Sequence, residues 1–338
     1  MGYVLNEDQM NQALQELKKS YIVYAPKCFE NGGRFSDTDC IRYGEIHSIA
    51  DVEFEKKSEF SFKEILTPVS QTLFYFTEDS VQEAQAEKKG AVIFLRSCDR
   101  HAVRRLDDMY LSNGPADYYY QRVREKVHFI VMGCTNAYEN CFCADMETNQ
   151  TSAYDAGVNK KNGVFEMDCK ETWIDDIVKK YTDTEKDVSV EFVTQTQTHV
   201  QIPEKIDYRV SKSSIWKDYD SRCIHCGRCN FVCPTCTCFT MQDIFYTDNG
   251  KVGERRRVWA SCMVDGYTDV AGGGSYRKKM GERMRFKVLH KILDYKERNG
   301  YYMCVGCGRC DDVCPEYISF SHCMNRLEEG MKEVEHND

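Results

Sequence analysis

Two nearly identical cysteine runs constrain this chain more than anything else in it. They are Cys223-Ile-His-Cys226-Gly-Arg-Cys229-Asn-Phe-Val-Cys233-Pro234 and Cys304-Val-Gly-Cys307-Gly-Arg-Cys310-Asp-Asp-Val-Cys314-Pro315. Both read C-x2-C-x2-C-x3-C-P. Two-residue gaps wrap three soft thiolates around one face of a cluster of four irons and four sulfides. The longer gap and the proline turn the chain away, so the last thiolate of each run is aimed at the neighbouring cluster. This predicts one [4Fe–4S] cluster on Cys223, Cys226, Cys229 and Cys314, and a second on Cys304, Cys307, Cys310 and Cys233. A zinc ribbon needs only four cysteines, as two separated pairs, and would leave half of these idle. Disulfides are disfavoured by the close spacings and by the lack of an export signal. The pattern is that of a two-cluster ferredoxin, a carrier of electrons.

The chain has 338 residues, room for two domains that each bury a core. The opening MGYVLNEDQMNQALQELKK has no basic segment followed by an apolar one, so no signal peptide is expected. Apolar runs such as AVIFL at 91–95 are far too short to cross a bilayer. With 19 cysteines, these features predict a reducing cytoplasm and no membrane contact. A net charge of −9 argues against nucleic acid as the main partner.

The N-terminal part reads as an α/β domain with a partly parallel sheet, placed at 1–210. A helix over 6–19 is capped by Asn6, with Glu7 and Asp8 in its first turn and Lys18 and Lys19 in its last. Strands are expected at 21–26, 41–46, 72–76 (buried), 188–193 and 199–203, a helix at 172–181, and a structural turn in GGRFSDTD at 32–39. The informative stretch is 91–143. AVIFLR forms a strand, Asp99 can cap the following helix, and VHFIVMG forms the next strand, which makes the two strands parallel neighbours. Cys98 and Cys134 then each fall just past a strand's carboxyl end, the edge where open α/β sheets place ligands. Cys141 and Cys143 follow in ENCFC. Those four can converge, and the spacing leaves a third cluster, a zinc site and plain buried thiols all open. Cys28, Cys40, Cys169 and Cys323 show no ligand spacing.

Residues 211–338 are expected to form a mostly α-helical ferredoxin domain. Seventy residues separate Cys233 from Cys304, and GERMRFKVLHKILDYKERNG at 281–300 has the apolar period and terminal glycine of a helix. Residues 251–298 hold thirteen Lys or Arg against six Asp or Glu. That excess can be a solvated face, a counterweight to anionic clusters, or a docking surface. AGGG at 271–274 lacks the rest of a phosphate loop and reads as a turn. Cys236, Cys238 and Cys262 are expected to pack beside the clusters without ligating iron.

The blocks GGRFSDTD, TLFYF, RLDDMYLSNG, ENCFC, DSRCIHCGRC, CPTCTC, GERRRVWASCMV and MCVGCGRCDDVCP carry a resemblance. Along nearly its whole length the chain resembles the A subunit of the NADH-dependent anaerobic sulfite reductase complex. More loosely it is similar to the β subunits of cytoplasmic sulfhydrogenases, which share the Cys98-Asp99 and Cys141-Phe-Cys143 features. The resemblance implies an electron-transfer subunit without an active site of its own. It would stand between a flavin subunit that oxidises NADH and a sirohaem subunit that reduces sulfite to sulfide. It also implies a third cluster, on Cys98, Cys134, Cys141 and Cys143. Consistently, the sequence has no G-x-G-x-x-G after a strand and no spare cysteine pairs for sirohaem. A non-catalytic iron–sulfur sensor or scaffold is the remaining alternative.

Overall fold

A computed structural model describes residues 1–35 and 37–336. Ser36, inside the GGRFSDTD stretch, lies outside the described residues. The strands are β1 (Gly2–Leu5), β2 (Tyr21–Phe29), β3 (Cys40–Glu45), β4 (Ser70–Phe76), β5 (Val81–Glu83), β6 (Gly90–Leu95), β7 (Val127–Met132), β8 (Ala156–Lys161), β9 (Val164–Cys169), β10 (Phe239–Phe245) and β11 (Gly253–Trp259). Two short strands, Asp269–Val270 and Gly274–Ser275, close a hairpin at AGGG, where Gly272 and Gly273 have positive φ.

Seven strands form one sheet in the order β1-β9-β8-β7-β6-β2-β3. β2, β6, β7 and β8 run parallel, and antiparallel strands finish both edges. The parallel strands are covered on both faces, which is why they read as unbroken apolar runs; Val92, Ile93, Phe94 and Leu95 are all fully buried. One face is covered by helix Glu7–Ser20. Asn6 Oδ1 accepts from Gln9 N–H and Gln9 Oε1 accepts from Asn6 N–H, both at 2.9 Å, satisfying the first turn reciprocally. Met10, Ala13, Leu14 and Leu17 then turn inward.

Several local expectations change. Helix Ser97–Asp107 starts two residues before Asp99, whose carboxylate is used elsewhere and caps nothing. VSVEFV and HVQIP form no named strand; Cys134 and Phe192 make a single parallel bridge there. The strand at 72–76 is not buried, since only Leu73 points inward. It belongs to a second, four-stranded sheet of order β10-β11-β4-β5.

That second sheet adds strands to the C-terminal part, where the elements expected were helices. β10 and β11 come from the gap between the two cysteine runs and pair with each other, and β11 also pairs with β4 from the N-terminal part. The signal was Asp248-Asn249-Gly250 between two alternating stretches, with Gly250 at φ +70° supplying the turn. The three arginines of GERRRV are strand residues with partners. Arg255 reaches Asp243 at 2.8 Å, Arg256 pairs with Glu254, and Arg257 bonds Asp117 at 2.6 Å and Gln71 at 2.9 Å. The helical expectation at 281–300 holds as helix Met280–Leu289, a π-helical turn His290–Asp294 and helix Tyr295–Asn299, ended by left-handed Gly300.

Candidate metal centres

Each cysteine run wraps a loop with the same backbone signature. Two positions per loop are left-handed: His225 (φ +63°) and Gly227 (φ +72°) in the first, Gly306 (φ +63°) and Gly308 (φ +70°) in the second. A short helix follows each, Arg228–Phe231 and Arg309–Asp312. The first loop tolerates a histidine where the second has glycine, because the second is covered. A Cβ on Gly306 would lie 2.6 Å from the backbone of Phe142, and one on Gly308 would lie 2.1 Å from Asn140 O. The ENCFC segment therefore sits directly on the second run.

The loops enclose two adjoining spaces. Cys223, Cys226, Cys229 and Cys314 line the first, which is open to solvent at Cys226. Cys233, Cys304, Cys307 and Cys310 line the second. Cys229 lines the second space too and Cys310 the first, so those two stand at the wall between them. Cys314 acts electrostatically on Cys223, while Cys233 acts on Cys304, Cys307 and Cys310. The last cysteine of each run thus faces the group of the other run.

The other four cysteines meet at the carboxyl edge of the large sheet. Cys98 is in the first turn after β6, Cys134 follows β7, and Cys141 and Cys143 sit in the loop beyond. Cys143 lies within the electrostatic reach of Cys141, Cys134 and Cys307, and Cys98 within that of Cys143 and Cys307. The loop is held to the second run by Phe142 N–H donating to Gly306 O at 2.8 Å and Thr148 Oγ donating to Val305 O at 2.7 Å. These are the three cysteine shells of the molecule; among the described residues no three His, Cys, Asp or Glu side chains are drawn close enough to chelate one ion.

The chemistry around the shells fits anionic clusters. Lys287 and Lys291 are 4% and 3% exposed, and both face cysteine sulfurs. Lys291 Nζ lies 3.5 Å from Cys233 Sγ and donates to Thr235 Oγ at 2.7 Å. Burial opposes the charge on both lysines, yet the neighbouring sulfurs outweigh it and hold both above the ordinary range. For Lys63, burial wins and the shift is downward; its Nζ donates to Cys236 O at 2.9 Å and lies over the Trp259 ring. Beside the third group, Lys57 donates to Cys307 O at 3.1 Å and pairs with Asp312 at 2.5 Å. Buried ammonium groups are costly unless opposite charge faces them, and ligating thiols are thiolates. Part of the basic excess in 251–298 is therefore counter-charge.

Two functional side chains escape a linear reading. Arg309, between Cys307 and Cys310, is 2% exposed and forks onto Asp99, which is fully buried, at 2.6 and 2.7 Å. Its remaining donors reach Ser58 O at 2.9 Å and Ser58 Oγ at 3.0 Å, and Tyr43 OH donates to Asp99 at 3.2 Å. This network ties Cys98-Asp99 to the second run. Repetition of Cys-Gly-Arg-Cys was visible in the sequence; the buried carboxylate opposite it was not.

The comparisons agree with this geometry. Residues 222–318 match the 4Fe-4S dicluster domain family, so the chain is an iron–sulfur electron-transfer protein. Over 98% of its length, and the whole of the relative's, it is 26% identical to sulfhydrogenase 2 subunit beta of Pyrococcus furiosus. That likeness falls on the looser of the two resemblances read from the sequence, the sulfhydrogenase β subunits. Among the described residues no helix is long and apolar enough to cross a membrane.

Proposed function

We propose that the chain is the electron-transfer subunit of a cytoplasmic, multi-subunit sulfur-reducing oxidoreductase, with three [4Fe–4S] clusters held in series. The observation that carries this reading is contact between the three shells. The Cys98, Cys134, Cys141 and Cys143 group abuts the second run through Phe142 and Gly306, and the second space adjoins the first at Cys229 and Cys310. Electrons pass along such a row without any active site in between.

The two ends suit two partners. At the first shell Cys226 is exposed, Ile224 (55% exposed) lines the same space, and Tyr317 (89%), whose N–H donates to Cys314 O at 3.2 Å, adds exposed aromatic surface. Apolar and aromatic side chains without a covering element are common at the centre of protein interfaces. The third shell lies at the sheet edge of the α/β part, residues 1–210, and the first within 211–338.

Between the two complexes, the likeness to a sulfhydrogenase β subunit favours a hydrogenase partner. The sulfite reductase reading, with flavin and sirohaem subunits, rests on specific blocks that cluster at these shells: ENCFC forms the third group's loop, and WASC carries Cys262 beside the first. Anaerobic co-purification from the native host separates the two. Nickel with hydrogen uptake supports the hydrogenase reading, sirohaem with sulfite reduction supports the other, and a stable monomer with no partner removes both.

A further inference from the structure

Seven of the 19 cysteines lie outside the shells, and two of them, Cys238 and Cys262, form a pair. Cys238 leads into β10, and Cys262 lies just past β11. In that ladder Phe239 faces Trp259, and Ala260 N–H donates to Cys238 O at 3.0 Å, extending the pairing one step. At that end the thiols of Cys238 and Cys262 hydrogen-bond to each other. Asn230 Nδ2 donates to Cys262 Sγ at 3.1 Å, and Asn230 directly follows Cys229. The loop carrying Cys262 also covers the first run, because a Cβ on Gly227 would meet Val264 at 2.6 Å and Ser261 at 3.1 Å. Both thiols pack in the same apolar cluster as Cys223, Cys229, Cys304, Cys310 and Cys314.

We propose that Cys238 and Cys262 are a redox-active dithiol–disulfide couple, oxidised by a low-molecular-weight disulfide and reduced again by the chain's own clusters. Cys262 is 4% exposed, whereas Cys238 is half-buried beside the accessible Tyr267. Cys238 therefore meets the oxidant first. Its thiolate attacks one sulfur of RSSR, that S–S bond breaks, and one RSH departs. The Cys262 sulfur then attacks the Cys238 sulfur of the mixed disulfide, and the second RSH departs carrying the second thiol proton. In the return step, clusters held by the two cysteine runs would supply the two electrons; two protons are taken from solvent, and the S–S bond between Cys238 and Cys262 opens to two thiols. Only this return step rests on the cluster reading.

The test uses the full chain, loaded with iron and sulfide anaerobically and incubated with glutathione disulfide. Alkylation and peptide mass spectrometry are expected to find a Cys238–Cys262 cross-link. Deazaflavin photoreduction should then consume about two more electrons per chain than in untreated protein, and the cross-link should disappear. In Cys262→Ser both signals should be lost while iron per chain stays at the parent value. An oxidised sample without that cross-link overturns the proposal, and so does loss of iron in Cys262→Ser, which would make the residue a ligand. A cross-link that persists while the clusters bleach overturns the return step. Low iron in the parent, by contrast, counts against the cluster reading.

Discussion

Replacing Arg309 by methionine removes one partner of a fully desolvated ion pair. The Asp99 carboxylate has no solvent exposure and would keep only the Tyr43 hydroxyl, at 3.2 Å. Leaving a buried charge without its partner costs about 3–5 kcal/mol. Ser58 O and Oγ lose their donors as well, and Ser58 is only 3% exposed. Each such loss adds about 1 kcal/mol, which puts the expected destabilisation toward the upper part of that range. The double variant Asp99→Leu/Arg309→Met removes both charges and should return to within about 2 kcal/mol of the parent, since apolar replacement of a buried pair is often close to neutral. Anaerobic urea unfolding of the parent, both single variants and the double gives the coupling energy, with iron per chain measured alongside to separate loss of fold from loss of cluster. Arg309→Met within about 1 kcal/mol of the parent would refute the reasoning. So would a double variant no more stable than the weaker single one.

Three further outcomes are expected. Cys314→Ala should remove the cluster held by Cys223, Cys226 and Cys229 and leave the other ferredoxin-type cluster's electron paramagnetic resonance signal in place; loss confined to the second run would show that each run is self-contained. Gly306→Ala places a methyl group against Phe142 at a left-handed backbone position. It should destabilise the chain by about 1–3 kcal/mol and deplete the third cluster before the other two, and a variant with normal iron and normal urea midpoint would sink the claim that this contact joins the shells. NADH alone should leave the isolated, loaded chain oxidised, because the sequence lacks a dinucleotide fingerprint; rapid anaerobic bleaching by NADH would contradict that.

What the sequence made legible were features written over short distances. β6 and β7 are apolar runs with a helix between, so their parallel pairing and the placement of Cys98 and Cys134 at one edge followed from local pattern alone. The N-cap at Asn6 was equally local. The errors arose where a distant segment decided the outcome. Asp99 has a capping residue's chemistry, but Arg309, 210 positions away, claims its carboxylate. TLFYF looks like a core strand, but its partner is an arginine-rich hairpin strand from the other half of the chain. VSVEFV alternates correctly, yet only Phe192 finds a bridge, opposite Cys134. The basic excess that includes Lys287 and Lys291 left a solvated face, a counterweight to anionic clusters and a docking surface all open, because the helical period does not say which face is buried.

The most direct measurement is iron, acid-labile sulfide and zinc per chain in the full-length protein reconstituted anaerobically, followed by a reductive titration. Three cubes in series predict about twelve iron and about twelve sulfide, and three one-electron steps. Stoichiometric zinc without a third set of sulfide, or about eight iron with Cys98, Cys134, Cys141 and Cys143 all open to alkylation in the folded chain, would contradict the row of three.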